Sequence, residues 1–389
     1  MKILYASCRY DPLNRDAGSG VDFNMHEAFK RLGCELRVKG PFKDRPSTLE
    51  TLYRKVHRLF SRKLTAKFSV AYLQRCAKLV DQAAAEYRPD AIFTHNLIPL
   101  VYSRSTVPVI YKTDAVMANT HEQWPTYSRL ELQRMLRWER KALNRSTLVI
   151  TASHWAEESL VKDYGVPRSR ILVLPVPSSL PVEVIPDDIS RTAPTRDDLR
   201  LIAVAKNALM KGTGIAIDAV KLLQSRGVKV CLRVVGQDGE NSAGIEYKGL
   251  YRKSDPDQLR EYVANYQWAH LLVHPSRVDS AGIVCSEAAA FGVPTITNAT
   301  GGLATTVQDG VTGIVLPRGS EADAYADTIE KILDHADEYK RMSYNARERY
   351  LSELNWQSAG QKILEVFRKL SIKDQIVVER SKSPSIADQ

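Results

Sequence analysis

Residues 274–316 constrain the fold of this chain more than any other segment. The segment reads HPSRVDSAGIVCSEAAAFGVPTITNATGGLATTVQDGVTGIVL and follows the apolar run LLVH. It predicts a strand, a loop, a helix that ends at Gly292, a second strand (TITN) and, after Gly301-Gly302, another helix. In such a unit both loops lie at the carboxyl edge of a parallel sheet, where open α/β sheets bind ligands. Two helix N-termini at that edge would present free N–H groups to a phosphate.

Alternation of strands and helices continues through the rest of the chain, and 389 residues are too many for one ordinary core. We predict an α/β fold with two Rossmann-like, doubly wound parallel-sheet lobes that face a central cleft. The segment before residue 199 is rich in Pro, Ser, Asp and Thr, which favours a linker. The predicted parts are an N-terminal lobe (1–180), a linker (181–198), a C-terminal lobe (199–352), a helix that packs back toward the N-terminal lobe (353–372) and a disordered tail (373–389).

Positive charge is concentrated in the first half of the chain. Residues 1–185 contain 29 Lys and Arg against 18 Asp and Glu, whereas the remainder contains 26 against 27. Residues 48–88 form a predicted helix whose basic side chains alternate with apolar ones, a pattern that can lie on anionic lipid headgroups. An ordinary solvated basic face is the open alternative. The basic residues of this helix are Arg54, Lys55, Arg58, Arg62, Lys63 and Lys67.

Several function classes are disfavoured by what the sequence lacks. The five cysteines are scattered, without CxxC or zinc spacing, which indicates a reducing cytoplasm and no structural metal. No apolar run reaches the roughly 18 residues that a membrane span needs. The loop after the first strand lacks GxGxxG, which disfavours a dinucleotide cofactor. We therefore expect no cofactor, no metal and no nucleic-acid partner, and a cytoplasmic protein that lies at most peripherally on the inner face of a membrane.

Polar residues and glycines follow several of the predicted strands. Because the carboxyl ends of parallel strands meet at one edge of a sheet, we expect these residues to lie close to the cleft. They are Gly18, Gly20, His95 and Asp114 in the first half of the chain, and Lys206, Lys211 and Gly236 in the second.

These residues and the 274–316 segment together resemble the retaining glycosyltransferases of family 4, which have the two-lobed GT-B fold. The resemblance is strongest over 199–317, where PSRVDSAGIVCSEAAAFGVPT contains the family's pair of acids eight residues apart and AKNALMKG follows the first strand of the lobe. The Gly301-Gly302 pair and Asn355-Trp356 also match. The chain departs from the family pattern at several places: Asp279 replaces Glu, Ala281 replaces Phe, Lys206 replaces Arg, and Thr113 stands where a second His is common. The run PVPSSL also replaces the family's common Pro-Asn-Gly-Val hinge.

The resemblance implies a sugar donor linked to UDP or GDP and transfer with retention of configuration. Glu287 would hold the ribose hydroxyls, Asp279 would bind the transferred sugar, and Lys206 and Lys211 would contact the diphosphate. The N–H groups of the helix start would stabilise the departing diphosphate in place of a metal ion. Further donor-side residues are Gly282, Ile283, Val284, Gly301 and Gly302, together with Gly18, Gly20 and Gly236. His95 and Asp114 would lie on the acceptor side.

The acceptor is predicted from charge alone. The basic first half favours a glycan, a lipid-linked sugar or another anionic acceptor, as in surface polysaccharide or glycolipid synthesis. Two other functions remain open: a sugar-nucleotide epimerase with the same fold, and a catalytically degenerate subunit that binds nucleotide sugars. We also expect Glu287→Ala to abolish turnover with little change in stability.

Overall fold

The structure is a computed structural model that describes residues 1–8, 10–42, 48–49, 51–52, 55–56, 68–125 and 127–382, with side chains described as far as residue 371. Most of the basic residues of the predicted helix, namely Arg54, Arg58, Arg62, Lys63 and Lys67, lie outside the described residues, so its lipid-binding face stays a prediction. A single helix over 48–88 is wrong, because the chain is not helical at Phe68 and Ser69. The Ser69 hydroxyl accepts the N–H of Tyr72 at 2.9 Å and caps a separate helix.

In the described part of the N-terminal lobe, six parallel strands form one sheet in the spatial order β2-β1-β3-β4-β5-β6. In register, Leu4 of the first strand lies opposite Arg37 on one side and Ile92 on the other. The third and fifth strands are buried along their whole length, because helices cover both faces of the sheet. The strands are β1 (Lys2–Ala6), β2 (Glu35–Lys39), β3 (Ala91–Thr94), β4 (Val109–Thr113), β5 (Leu148–Thr151) and β6 (Ile171–Val173).

The helices of this lobe divide between the two faces of the sheet. They are α1 (Val21–Arg31), α2 (Val70–Tyr87), α3 (Met117–Gln123), α4 (Arg129–Arg145) and α5 (His154–Lys162). Apolar side chains of α2, α4 and α5 form one core with the sheet, and those of α1 form the other. Burial of each large apolar side chain contributes about 1.5–3 kcal/mol, so these two cores hold the strand ends in place.

The C-terminal lobe has a second parallel sheet, in the order β12-β11-β10-β7-β8-β9. Its strands are β7 (Leu199–Val204), β8 (Val230–Val235), β9 (Ile245–Tyr247), β10 (Leu271–His274), β11 (Thr295–Asn298) and β12 (Gly313–Leu316). Its helices are α6 (Ala208–Lys211), α7 (Thr213–Ser225), α8 (Pro256–Trp268), α9 (Ile283–Ala290), α10 (Leu303–Thr306), α11 (Ala322–Asp334) and α12 (Ala336–Ser352). The order of elements predicted for 274–316 is confirmed, although α10 has only four residues.

The last helix, α13 (Trp356–Lys382), packs on α1 of the N-terminal lobe. A Cβ at Gly360 would lie 2.8 Å from the Leu32 side chain, so glycine permits the close approach. The Trp356 indole N–H donates to the carbonyl of Ser178 at 2.7 Å and ties the helix start to the segment between the lobes. The prediction that the helix ends near residue 372 is wrong: no Gly or Pro lies between Gly360 and Pro384, and the helix continues to Lys382.

Each sheet has one place where the strand order reverses, between β1 and β3 in the N-terminal lobe and between β7 and β10 in the C-terminal lobe. The loops on either side of such a switch point diverge and leave a crevice. The two crevices face each other, because one cavity is lined by residues from both lobes. The predicted fold of two Rossmann-like lobes around a central cleft is confirmed. None of the helices within the described ranges is both long and apolar enough to cross a bilayer.

Candidate functional site

The cleft between the lobes contains two connected chambers, of about 450 Å³ and about 510 Å³. We call them the first chamber, which extends toward β3 and β4, and the second chamber, which extends toward β8 and α8. Four residues line both: Ser19, Lys211, Asp279 and Ile283. Of the predicted site residues, the first chamber also contains Gly18, His95, Asp114 and Gly282, and the second also contains Lys206, Gly236, Val284 and Glu287.

Asp279 lies at the junction of the two chambers and is held by four hydrogen-bonding contacts. Its Oδ1 accepts the N–H groups of Ala281 at 3.2 Å and Gly282 at 3.0 Å. Its Oδ2 lies 2.6 Å from Lys211 Nζ and 2.9 Å from His274 Nε2. Burial alone would raise the pKa of Asp279, but His274 and Lys211 lower it well below the usual range of a carboxyl. Asp279 is therefore a fixed anion, and the N–H of Gly282 is already engaged.

Hydrogen-bond donors for an anion remain beside Asp279. Lys211 Nζ uses two of its three N–H groups, on Asp279 and on the carbonyl of Val278 at 3.1 Å, which leaves one. Lys206 is exposed, and no ion pair to it is found among the described residues. The N–H groups of Ile283 and Val284 open α9, and the first N–H groups of a helix have no intrahelical acceptor. This side of the cleft can bind a phosphate.

Gly301 and Gly302 support this loop but do not line either chamber. A Cβ at Gly301 would lie 1.9 Å from the backbone oxygen of Asp279, and one at Gly302 would lie 2.1 Å from that of Ser280. The pair therefore lets α10 pack directly against the loop that carries Asp279. Gly20 also lies outside both linings, where a Cβ would meet the backbone oxygen of Arg15 at 3.1 Å.

Glu287 is fully buried, and both carboxylate oxygens are occupied. Oε1 accepts the Ser179 hydroxyl at 2.6 Å and forms an ion pair with Lys253. Oε2 accepts the hydroxyls of Tyr262 at 2.6 Å and Tyr266 at 2.9 Å. Truncation to alanine would leave these donors and a partly buried ammonium without their acceptor, so our expectation that Glu287→Ala leaves stability almost unchanged is revised.

A cluster of charged side chains lies at the opposite wall, in the first chamber. His95 Nδ1 is 3.4 Å from Asp22 Oδ2, and His95 Nε2 is 3.7 Å from Asp114 Oδ2. Lys112, which is buried, forms an ion pair with Asp114 and lies 3.3 Å from His95 Nε2. The Tyr5 hydroxyl donates to Asp22 at 2.8 Å.

The pKa values in this cluster follow from its charges. Burial and Lys112 both act to lower the pKa of His95, but Asp114 and Asp22 outweigh them, and the net pKa is raised. Burial would raise the pKa of Asp114, whereas Lys112 and His95 lower it well below its usual range. His95 is thus an imidazole between two carboxylates that face the cavity.

Thr113 stands where the family often has a second His, and it does not replace that side chain. Its hydroxyl donates to the carbonyl of Ala115 at 2.8 Å. The charge beside Asp114 comes instead from Lys112, one residue earlier in β4.

Sequence reasoning missed eight residues whose side chains make these contacts, Tyr5 and Ser179 among them. Lys112 could have been found because it is a charged residue inside an otherwise apolar strand. His274 could have been found because it ends the apolar run LLVH. Asp22 is in the first turn of the helix after the Gly-Ser-Gly loop, which was a weaker signal. Lys253, Tyr262 and Tyr266 meet Glu287 only through packing of α8 and its preceding loop, so no local pattern pointed to them. Among the described residues, no group of three His, Cys, Asp or Glu is arranged to hold a metal ion.

Two family models match the chain and divide at the linker. Residues 23–177 match Glycosyltransferase Family 4, and residues 185–349 match Glycosyl transferases group 1. The chain is 27% identical, over 69% of its length, to a D-inositol 3-phosphate glycosyltransferase of Corynebacterium aurimucosum. The match spans 66% of that relative's own length.

Solved structures share the fold at low sequence identity. A sucrose-phosphate synthase from Thermosynechococcus elongatus superposes with a TM-score of 0.65 and 18% identity, over 96% of this chain and 100% of that one. Anabaena HepE in complex with UDP-glucose superposes with a TM-score of 0.61 and 17% identity, over 95% of this chain and 100% of that one. The two lobes, the cleft and the two family matches agree: the chain belongs to glycosyltransferase family 4 and has the GT-B fold.

Proposed function

We propose that the chain is a retaining, metal-independent glycosyltransferase that moves a hexosyl group from a UDP- or GDP-linked donor to an acceptor. The observation on which the proposal depends is the position of Asp279. This fixed carboxylate lies where the two chambers meet, beside Lys211 and the N-terminus of α9. A sugar at this point can contact Asp279 while its diphosphate meets donors on one side and an acceptor approaches from the other.

The donor nucleotide occupies the second chamber in this proposal. Glu287 receives the ribose hydroxyls, and Gly236 lets the chain pass close to the loop after β7, since a Cβ there would lie 2.9 Å from the oxygen of Ala205. The diphosphate lies near Lys206, the free N–H of Lys211 and the N–H groups of Ile283 and Val284. The Anabaena structure with UDP-glucose supports a nucleotide-sugar donor for a chain with this fold.

The chemistry requires the C–O bond between sugar and diphosphate to break as the acceptor oxygen attacks. Negative charge grows on the departing diphosphate, and preorganised cations and N–H groups lower the barrier most when they face that charge. Attack on the face from which the diphosphate leaves retains the configuration, and the departing phosphate takes the acceptor's proton. His95 and Asp114 orient the acceptor hydroxyl from the first chamber.

The proposed acceptor is a glycan, a lipid-linked sugar or another anionic molecule of surface polysaccharide or glycolipid synthesis. The positive first half of the chain supports an anionic acceptor. The Corynebacterium relative is named for D-inositol 3-phosphate, which is an anionic polyol. A cytoplasmic protein that binds the inner face of the membrane through its basic N-terminal lobe would meet such lipid-linked acceptors.

The test is a mass balance with UDP- and GDP-sugars and a panel of acceptors, with and without EDTA. We expect free nucleoside diphosphate to appear in step with glycosylated acceptor, and no loss of rate in EDTA. An intact nucleotide sugar with an inverted centre would identify an epimerase instead. Nucleotide binding without turnover on any acceptor would favour a degenerate binding subunit.

A further inference from the structure

The loop before α8 places a lysine in the second chamber that neither motif spacing nor family resemblance points to. Lys253 donates to the Ser179 hydroxyl at 2.8 Å and forms an ion pair with Glu287. Its ammonium lies 4.8 Å from the centroid of the Tyr262 ring, within the range of a cation–π interaction. The side chain is 20% exposed, and that exposed part lines the chamber.

Lys253 is the charge partner of a carboxylate that water does not reach. Glu287 is 0% exposed, and its other three contacts, from Ser179, Tyr262 and Tyr266, are neutral hydroxyls. Burial and the charge of Glu287 raise the pKa values of both tyrosines, so they remain protonated donors. Within the ranges that the structure describes, no other cation pairs with Glu287. A carboxylate left in such a site without a cation tends to become protonated.

The backbone around Lys253 is held from both lobes. The N–H of Ser254 donates to Asp16 of the N-terminal lobe at 3.1 Å, and the two side chains also hydrogen-bond. Asp255 caps α8 by accepting the N–H of Asp257 at 3.0 Å and of Gln258 at 3.3 Å. The ammonium is therefore presented to Glu287 by a fixed loop.

All four acceptor positions of the Glu287 carboxylate are filled in this arrangement. A ribose hydroxyl that binds Glu287 must therefore replace a donor that is already there. Exchange of the Ser179 hydroxyl for a ribose hydroxyl substitutes one neutral donor for another. The ion pair with Lys253 keeps Glu287 ionised, so its carboxylate can accept a hydrogen bond from either the Ser179 hydroxyl or the ribose hydroxyl.

We propose that Lys253 is a positioning residue of the nucleotide site, which holds the buried Glu287 carboxylate charged and in place while a ribose hydroxyl exchanges with a protein hydroxyl. This inference rests on the proposed nucleotide-sugar function. It assigns Lys253 a role through Glu287 and not through contact with the reacting atoms.

A pH series separates this role from simple packing. Burial would raise the pKa of Glu287, but Lys253, Ser179 and Tyr262 lower it, so wild-type Glu287 stays ionised at neutral pH. When Lys253 is removed, no cation remains to counter the effect of burial, and the pKa of Glu287 rises. The variant then loses nucleotide affinity as pH falls, by a factor that approaches about tenfold for each pH unit below the new pKa. The other charged or titratable groups that line the chamber are Arg15, Asp16, Lys206, Lys211, Tyr251, Arg252, His274 and Asp279, and they are the same in every Lys253 variant.

The experiment measures the Kd of UDP and of GDP by calorimetry, from about pH 5.5 to about pH 8.5, for the wild type, Lys253→Met, Lys253→Arg and Glu287→Gln. Ratios of variant to wild-type Kd cancel the titration of the nucleotide's own phosphates. Lys248→Met is the matched control, since Lys248 pairs with Glu246 at 2.7 Å outside both chambers. If Lys253→Met does not fold, Lys253→Gln keeps an N–H donor beside Glu287 without the charge.

We expect the ratio for Lys253→Met to rise as pH falls and to converge at low pH on the ratio for Glu287→Gln. The ratios for Lys253→Arg and Lys248→Met should stay close to one at every pH. A ratio for Lys253→Met or Lys253→Gln that is the same at every pH would overturn the inference while the proposed function stands. Failure of the wild type to bind either nucleotide would overturn both.

Discussion

The two walls of the cleft contain the same three residue types in different arrangements. The C-terminal lobe has Asp279 with His274 and Lys211, and the N-terminal lobe has Asp114 with His95 and Lys112. In both clusters burial opposes ionisation of the acid, and the neighbouring lysine and histidine lower its pKa well below the usual range. Each lobe therefore keeps an ionised carboxylate at the wall of the cleft.

The difference between the clusters lies in which groups face the cavity. Lys211 has 27% of its side chain exposed and lines both chambers, whereas the side chain of Lys112 is 3% exposed and lines neither. The N-terminal cluster also includes a second acid, Asp22, so that carboxylates and an imidazole face the first chamber. The C-terminal wall presents donors that suit phosphate oxygens, and the N-terminal wall presents acceptors that suit sugar hydroxyls. The same three residue types therefore present different groups to the cavity, because the two lysines differ in exposure and because a second acid joins only the N-terminal cluster.

The largest expected effect is a loss of stability when the N-terminal cluster loses its lysine. Lys112→Met leaves Asp114 without its buried cation, and loss of one partner of a buried pair costs about 3–5 kcal/mol of unfolding free energy. Lys211→Met should cost less, about 1.5–3 kcal/mol, because water reaches this lysine. Urea titration of both variants measures the difference. Equal losses would contradict the contrast in exposure between the two lysines.

The next effect concerns turnover. Asp279→Asn removes the anion at the junction of the chambers, and we expect kcat to fall by about 10²–10³-fold, with the Kd of UDP or GDP changed much less. Asp337→Asn on the surface of α12, where the side chain is fully exposed, is the control. A kcat within about threefold of the wild type would remove Asp279 from the proposed mechanism.

A smaller effect is the pH dependence of stability, which runs in opposite directions for His95 and Asp279. The raised pKa of His95 means that its contribution to stability is fully present below the unfolded-state pKa of about 6.5 and is lost as pH rises through the folded-state value. The lowered pKa of Asp279 works in the other direction: its contribution is present above about pH 4 and is lost as pH falls. The stability difference between wild type and His95→Gln should therefore be larger at about pH 5.5 than at about pH 8. A difference that grows with pH would show that the carboxylates do not control His95.

The smallest effect concerns the contact that joins the walls. Asp16→Ala removes the hydrogen bonds to Ser254, which are exposed, and we expect a loss of less than about 1 kcal/mol in stability. The Kd of nucleotide should rise by no more than about fivefold, because Lys253 keeps its own contacts with Ser179 and Glu287. A change as large as that of Lys253→Met would mean that the loop depends on Asp16 for its position.

The sequence predicted the C-terminal wall better than the N-terminal wall, and the reason is physical. Asp279 and Glu287 lie within one strand–helix unit, so their spacing already places them at one edge. The partners of His95 come from separate elements, α1 and β4, and meet it only when the sheet forms. Lys112 is in a strand of otherwise apolar side chains, where periodicity predicts a core residue. Lys253 depends on the packing of α8 against α9, which no local pattern specifies.

The most direct test of the account is a crystal structure of the protein with UDP or GDP bound. We predict that the nucleotide lies in the second chamber, with its ribose at Glu287 and its diphosphate within hydrogen-bonding distance of Lys206 and the N–H groups of Ile283 and Val284. A nucleotide bound elsewhere on the protein, with the second chamber empty, would contradict the assignment of the donor to this side of the cleft.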